Sequence, residues 1–443
     1  MSHPLLTAPI GPALFRLAGP TTAFMVLQIF VAIADIWFAG RLGTEALAAF
    51  ALVVPFLMLM LNLANGGLGG AVAAALARAL GAGRIDDARA LVVHALVLAL
   101  AISLFFTAMA WIVAPALFRL MGGTGASLQN ALAFSDIFFG GASVAWLSAF
   151  LAALLRGAGD SATPARLGVV TSLVYVPMSG AMSVGFGMMG MGIASVLASG
   201  LATLLLARAV WRGKLGFVPS LAGIRLRRRL FADILSVGLM GSFATLTANI
   251  TAILMTTLIG RFGTAALAGC GIGARIESML APLAFGIGTG CTTLVGIAAG
   301  AGDWKRAVKV AWTGGLVAFV LIGSLGWTVA LLPETWSRLF SADPDVLATS
   351  VAYITHVAPF YCLFGLGLTL NFASQGAGRM KAPLVGSLAR QAVAVTGAWF
   401  AVETLGWGLD GVFIASAIGI VVYGCLLAGP LLVRPWRAKE PMA

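Results

Sequence analysis

The chain has 443 residues, of which 60% are hydrophobic and only 9% are charged, and its mean hydropathy is +1.02. A chain this apolar is expected in a membrane. The three His and four Cys do not cluster with carboxylates at metal-ligand spacing, so the composition favours neither a metal site nor a cofactor.

The apolar segments are long and uniform. A helix needs roughly 20 apolar residues to cross the hydrocarbon core, whereas barrel strands would be segments of about ten residues with alternating polarity. The sequence therefore predicts an all-α membrane protein with twelve transmembrane helices. The predicted helices lie near 13–39, 46–77, 90–118, 130–155, 165–187, 190–211, 233–259, 266–298, 307–332, 347–375, 384–405 and 409–433.

The two halves of the chain repeat each other. Gly40–Ala48 (GRLGTEALA) returns 220 residues later as Gly260–Ala268 (GRFGTAALA), identical at seven of nine positions. Arg156–Pro164 returns in the same way as Gln375–Pro383. Each half holds six predicted helices, an even number, so both halves enter the membrane in the same sense. The pattern predicts two six-helix bundles related by an axis along the membrane normal.

The predicted organisation follows from this repeat. It comprises an N-lobe at 1–213, a basic cytoplasmic linker at 214–231, and a C-lobe with a short tail at 232–443.

The positive charge is distributed unevenly. When loops are assigned alternately to the two sides, 22 of the 27 Lys and Arg fall on one side and four on the other. The positive-inside rule then places both termini in the cytoplasm of a multi-pass plasma-membrane protein. The arginine run at 225–229 is interpreted as a topology signal touching lipid headgroups, and nucleic acid is not expected as a partner. The first residues do not resemble a cleaved signal peptide.

Asp35 is the strongest candidate for chemistry. A carboxylate inside the membrane costs roughly 2.5–3.5 kcal/mol on insertion scales, so it is rarely present without a role. Burial favours its protonated form, which would allow proton uptake on one side and release on the other. Gln28 lies two turns earlier on the same face and could line the same cavity. The alternative is an Asp that is hydrated near the interface or caps a local turn.

Other polar residues within the predicted helices give weaker signals. The amides are interpreted as cavity-lining or as interhelical hydrogen-bonding groups, and Asp136 as an interfacial or a coupling carboxylate. Arg275 and Glu277 point apart at i, i+2, so each needs a separate partner or water. The amides are Asn62, Asn65, Asn249 and Asn371. The glycines at 66, 67, 69 and 70 indicate either tight helix packing or a bendable point.

Several of these segments resemble one known family. Asp35–Gly43 (DIWFAGRLG), the Gly81–Gly83 turn, Arg156–Pro164 and Gly273–Ser278 (GARIES) are similar to motifs of the multidrug and toxic compound extrusion (MATE) family. The resemblance covers nearly the whole chain and is closest to the DinF-like branch.

The resemblance implies a V-shaped pair of six-helix bundles that opens a central cavity to each side in turn. It also implies export of cationic, amphipathic small molecules by a protein acting as a monomer, driven by inward H⁺ or Na⁺. Asp35 matches the family's coupling position. Pro20 matches a proline associated with bending of the first helix, although here it could simply end an approach segment.

The chain departs from the family pattern at three places. Tyr175 and Ser179 occupy positions where the branch often has Asn and Asp, and Tyr175 becomes a candidate for the cavity surface. Ala248 and Phe364 align with acids of other branches. Asp35 is thus nearly alone, which favours H⁺ over Na⁺, because Na⁺ prefers several oxygen ligands.

Other classes of membrane protein fit the sequence less well than an antiporter does. A lipid-linked oligosaccharide flippase of the same architecture would be expected to carry cationic residues in its cavity. Almost no Arg or Lys lies within the predicted helices, and Arg275 is the exception. A major-facilitator transporter would carry a different loop after the second helix. An intramembrane enzyme would need a catalytic constellation, and none is visible. A passive channel would need no gradient.

Overall fold

The computed structural model describes residues 3–219 and 225–437, and every regular element in these ranges is helical. The α-helices are α1 (Ile10–Arg41), α2 (Thr44–Asn62), α3 (Leu68–Gly81), α4 (Ile85–Leu120), α5 (Gly125–Gly140), α6 (Ala142–Gly157), α7 (Ala162–Ala209), α8 (Arg228–Gly260), α9 (Thr264–Gly300), α10 (Trp304–Leu331), α11 (Pro333–Ser337), α12 (Pro344–Val357), α13 (Tyr361–Gly376), α14 (Lys381–Glu403) and α15 (Gly408–Val433). Short 3-10 turns (Pro4–Leu6, Ala358–Phe360) and π-helical turns (Leu63–Gly67, Val210–Lys214) complete the list.

These elements make the twelve predicted spans. Nine helices of the described ranges are long and apolar enough to cross a membrane, and the bent pair α5 and α6 makes a tenth. Helix α7 is interrupted at Gly187, whose φ of 59° and ψ of −141° are not helical, so it contains two spans. Helix α14 is the remaining span and carries a charged residue, Arg390, in its interior. The prediction of twelve transmembrane helices is confirmed.

The chain forms two compact units. The N-unit is Gly19–Gly238, and the C-unit combines residues up to Ala18 with Leu239–Ala443. Their limits differ from those of the predicted lobes, because helices α1 and α8 each begin in one unit and continue in the other. The physical reason is packing: Leu14 and Leu17 lie in the apolar core of the C-unit, beside Gly290 of α9.

The duplication is visible in the backbone. Glycines in the left-handed region, which other residues rarely adopt, recur at equivalent positions of the two halves. The fourth span of each half is also broken at the same place, by a 51° bend between α5 and α6 and by the 3-10 turn between α12 and α13. The recurring glycine pairs are Gly43 and Gly263, Gly83 and Gly302, Gly159 and Gly378, and Gly187 and Gly406.

Glycine also permits close helix crossings. A Cβ added to Gly157 of α6 would lie 2.4 Å from the carbonyl oxygen of Ala73 in α3. The equivalent Cβ on Gly376 of α13 would lie 2.4 Å from the carbonyl oxygen of Thr292 in α9. Inside a membrane, helices associate through such close packing because lipid supplies no hydrophobic driving force between them.

One feature is not repeated. The second span of the N-unit is interrupted by the π-helical turn Leu63–Gly67, whereas its counterpart α9 runs without a break. The wider turn brings the carbonyl oxygen of Ala64 to 2.1 Å from the position that a Cβ of Gly69 would occupy. Gly69 is therefore required by the turn itself. A π-helical turn inside an α-helix is frequently found at a functional site.

We expect Gly69→Ala to lower the thermal unfolding midpoint by several degrees, because the π-helical turn must shift to relieve the clash, at a cost of about 1–3 kcal/mol. Gly66→Ala is the matched control, since its added Cβ would meet no atom within 4 Å. Differential scanning fluorimetry in detergent would compare the two. An equal response of both variants would contradict the role given to the Ala64 carbonyl.

Candidate functional site

Asp35 is held by a hydroxyl and not by a cation. The Tyr175 hydroxyl donates a hydrogen bond of 2.7 Å to Asp35 Oδ1, and Ser195 Oγ donates to the same Tyr175 oxygen over 3.2 Å. Asp35 belongs to α1, while Tyr175 and Ser195 belong to the two spans of α7 on either side of Gly187. All three side chains are half-buried. One carboxylate therefore links three spans of the N-unit.

Gln28 lies on the same seam between α1 and α7. Its side-chain oxygen accepts a hydrogen bond of 3.1 Å from the buried hydroxyl of Ser172. Ser172 and Tyr175 are three residues apart and therefore project from one face of α7. The structure thus brings Gln28, Asp35 and Tyr175 together along one helix pair.

The other polar residues of the N-unit do not join this group. The side-chain amide of Asn65 donates to the carbonyl of Leu61 in its own helix, over 3.0 Å. Asn62 and Asp136 are exposed, and within residues 3–219 and 225–437 neither side chain has a hydrogen bond or an ion pair. Helix α5 begins earlier than predicted, at Gly125, so Asp136 lies about three turns into it and not near its start.

Pro20 lies inside a continuous helix, so it does not end an approach segment. Helix α1 extends from Ile10 to Arg41 around it. The boundary between the C-unit and the N-unit falls between Ala18 and Gly19, directly before Pro20. Proline cannot donate the backbone hydrogen bond of a helix interior. The backbone hydrogen bond that α1 lacks at Pro20 is thus next to the point where the helix passes from one unit to the other.

The C-unit contains a different arrangement, an ion pair. Arg390 of α14 donates to Glu277 Oε1 over 2.9 Å, with side-chain exposures of 28% and 30%. The Arg390 guanidinium also lies 5.0 Å from the ring centre of Phe364. The 22 basic residues assigned to the cytoplasmic side by sequence include Arg390, and this assignment is wrong, since Arg390 lies more than two turns inside α14. Arg275 is therefore not the exception within the helices that the sequence predicts.

The remaining C-unit candidates are dispersed. Arg275 is exposed and lies 5.2 Å from the ring centre of Phe340, so it does not share the partner of Glu277. The Asn249 amide donates to Thr245 of its own helix. The Asn371 amide donates over 3.1 Å to the hydroxyl of Tyr423, a residue whose ring also lies 5.8 Å from the Arg390 guanidinium.

Comparison with known proteins now identifies the family. The sequence profile of the MatE family matches residues 20–181 and 242–400, which together cover well over half of the chain. The chain belongs to the MatE family. It is 26% identical over 386 residues to a probable multidrug resistance protein NorM of Thermotoga maritima, covering 85% of this chain and 82% of that protein. It is also 26% identical to an FAD transporter of Shewanella oneidensis, covering 84% and 83%.

Solved structures of MATE transporters show the same fold. One described as an outward-facing conformation of a multidrug resistance MATE family transporter has a TM-score of 0.89 at 24% identity, with 98% of each chain covered. Membership in this family makes the protein a multi-pass membrane transporter and not an enzyme.

Two members of the site were missed from the sequence. Ser172 carries a weak signal, since it lies one turn from Tyr175 on the same helix face. Ser195 carries none, because its place beside Tyr175 depends on how the chain reverses at Gly187. Arg390 could have been found as a charge within an apolar window. The pairing of Glu277 could not be found, because its cation comes from another helix.

We expect Glu277 and Arg390 to be coupled energetically, because removing one leaves an unpaired charge within the helix bundle. Glu277→Ala and Arg390→Ala should each lower stability by more than half the effect of the double variant, with a coupling of about 1–3 kcal/mol. The exposed pair Glu334 and Arg338 is the matched control, with side-chain exposures of 67% and 69%. Its coupling should be about 0.5 kcal/mol or less. Unfolding midpoints of both cycles in detergent would test this; additive effects at Glu277 and Arg390 would refute it.

Proposed function

We propose that this MATE protein exports cationic or amphipathic small molecules from the cytoplasm in exchange for H⁺, by alternating access. The observation that carries the proposal is the hydrogen bond between Asp35 and Tyr175. A half-buried carboxylate whose only hydrogen bond comes from a neutral hydroxyl, among the residues described, can change its charge without leaving a cation unpaired. The carboxylate of Glu277 cannot do so, because Arg390 would then lose its partner.

The same contact connects protonation to movement. A charged Asp35 accepts the Tyr175 hydrogen bond strongly, since bonds to ionised groups are about twice as strong as neutral ones. A protonated Asp35 weakens that attraction, and with it the link from α1 to both spans of α7. Pro20 supplies a place at which α1 can bend when the link is weakened. Proton uptake at Asp35 would thereby change the position of α1 within the N-unit.

The chemistry of the site favours H⁺ over Na⁺. The side-chain oxygens gathered here are those of Asp35, Tyr175, Ser195 and the buried Ser179, and among these four residues only Asp35 carries a carboxylate. Transporter Na⁺ sites collect several oxygen ligands, commonly including backbone carbonyls of unwound helices. Helix α1 is continuous at Asp35 and frees no such carbonyl.

The substrate class rests on charge and on relatives. Asp35 attracts cations, and relatives named as multidrug resistance proteins support amphipathic substrates. The relative named as an FAD transporter shows that a metabolite must also be assayed. The alternative, a lipid-linked oligosaccharide flippase, would need free cationic groups for a pyrophosphate. The guanidinium of Arg390 is paired with Glu277, which leaves Arg275, beside the ring of Phe340, as a single cation in the interior of α9 and α14, where a pyrophosphate would need several.

The proposal includes the orientation and the place of action. Both termini would lie in the cytoplasm, because most Lys and Arg fall on that side. The protein would act as a single chain in the plasma membrane, in contact with lipid through its apolar helix faces. Assignment to the DinF-like branch remains a prediction.

We expect Asp35→Asn to abolish export of a fluorescent cation from liposomes under an imposed pH gradient, because an amide cannot exchange a proton. Asp136→Asn is the matched control and should retain export, since this carboxylate is outside the hydrogen-bonded group. Efflux would be measured with a pH gradient, with a Na⁺ gradient and with neither, using a flavin dinucleotide as a second substrate. Export that survives both Asp35→Asn and collapse of the proton gradient would overturn the proposal.

We expect Tyr175→Phe to keep transport but to move the pH of half-maximal efflux upwards by about one unit. The lost hydrogen bond stabilises the charged form of the carboxylate, and a bond to a charged group is worth about 1.5–3 kcal/mol. The lower end of this range corresponds to about one pH unit. Tyr423→Phe is the control, because the hydroxyl of Tyr423 accepts a bond from Asn371 and, within residues 3–219 and 225–437, donates none to a carboxylate. A pH profile of efflux unchanged in Tyr175→Phe would show that the hydroxyl does not act on Asp35.

A further inference from the structure

In each unit, side chains bind the segment that directly precedes the first helix of a repeat half, α1 in one case and α8 in the other. In the C-unit, the Arg306 guanidinium donates to the backbone carbonyls of Leu5, over 2.9 Å, and Ala8. In the N-unit, Asp87 accepts from Arg227 over 3.1 Å and from Arg229 over 2.6 Å. Asp87 and Arg306 are 219 residues apart, which is the offset of the duplication. The same fastening therefore occurs twice, with different chemistry.

The N-unit fastening, here called the linker clasp, consists of Asp87 and His94 of α4 with Arg227, Arg229 and Phe231. Its centre is the His94 ring, which is fully buried at 0% exposure and lies 4.5 Å from the ring of Phe231, tilted by 52°. His94 was not among the candidates drawn from the sequence. The transport chemistry proposed for Asp35 does not use it.

Both nitrogens of His94 are engaged, and their partners fix its protonation state. Nδ1 lies 2.7 Å from the carbonyl oxygen of Ala90, which can only accept, so Nδ1 carries the hydrogen. Nε2 lies 2.8 Å from the backbone nitrogen of Arg227, which can only donate, so Nε2 must offer its lone pair. The imidazole of the closed clasp is therefore neutral.

We propose that the linker clasp is a pH-sensitive latch, closed while His94 is neutral and released when Nε2 binds a proton. A proton on Nε2 would face the N–H of Arg227, and the buried ring would carry a positive charge beside arginine side chains. The closed state binds fewer protons at His94 than the released state. Closure is therefore favoured at higher pH and weakens as pH falls.

Charged side chains from several elements surround the clasp. The charged groups around the clasp are Arg84 and Asp87 on α4 and its N-terminal cap, Arg227, Arg229 and Asp233 on the linker and α8, and Arg78 on α3, which is bonded to Asp233 at 2.8 Å.

The latch acts on a helix that joins the two units. Residues 228–238 of α8 belong to the N-unit, where Leu230 and Ile234 are buried, and the rest of α8 belongs to the C-unit. Release of the clasp would free the first turns of this helix from the N-unit. With the orientation proposed above, acid on the cytoplasmic side is the signal that loosens it.

Hydrogen–deuterium exchange of the full chain in lipid nanodiscs would test the latch without measuring transport. Exchange of peptides covering 226–238 would be followed at pH 7.5, 6.5 and 5.5 in the wild type and in His94→Gln. Comparison of the two proteins at the same pH removes the pH dependence of the intrinsic amide exchange rate. A glutamine oxygen can accept from Arg227 but does not titrate. We expect wild-type protection, relative to His94→Gln, to fall by up to about tenfold per pH unit.

The chain provides an internal control in residues 381–389, the first turns of α14, which contain no histidine and no carboxylate. Its protection should not change with pH in either protein. Parallel behaviour of wild type and His94→Gln at 226–238 would overturn the proposal. If His94→Gln fails to fold, the wild-type comparison of 226–238 with 381–389 decides alone: equal pH dependence of both segments would refute the latch. Loss of transport in Asp35→Asn leaves this result untouched.

Discussion

The need to satisfy every polar group without water is the constraint on which this structure depends. Twelve spans keep their backbone hydrogen bonds within helices, and the polar side chains of Gln28, Asp35, Glu277 and Asn371 find partners in the same unit. Where a helix is interrupted, a glycine makes the interruption possible. Gly69 leaves room for the carbonyl of Ala64 at the π-helical turn, and Gly187 itself adopts the non-helical backbone within α7. The sites available for transport are therefore few and can be named individually.

The two units meet this constraint at their carboxylates in opposite ways, although they arose from one repeat. Asp35 is bonded to a hydroxyl, so a proton can neutralise it at little cost to its neighbours. Glu277 is bonded to Arg390, so the two charges depend on each other. One carboxylate is suited to exchange protons and the other to hold α9 and α14 together. The repeat thus supplies equivalent helices, and a few side chains decide what each unit does.

Several features could be read from the sequence because they depend on local composition or on repetition. Apolar windows of sufficient length gave the spans, since the thickness of the membrane sets their length. The offset of 219–221 residues gave the duplication, and the glycines of its turns keep the same backbone conformation in both halves. Asp35 was found because a charge in an apolar segment is conspicuous. The pairing of Glu277 was not found, because its partner is 113 residues away on another helix.

The sequence by itself determined the class of protein, the number of spans, the parallel repeat and the candidate carboxylate, because hydrophobicity and periodicity are local properties. Only the tertiary structure decided which side chains meet. It placed Tyr175 and Ser195 on Asp35, set Arg390 against Glu277, and buried His94 under Arg227. It also decided that α1 and α8 each belong to two units, because packing against a neighbouring helix, and not position along the chain, assigns a residue to a core.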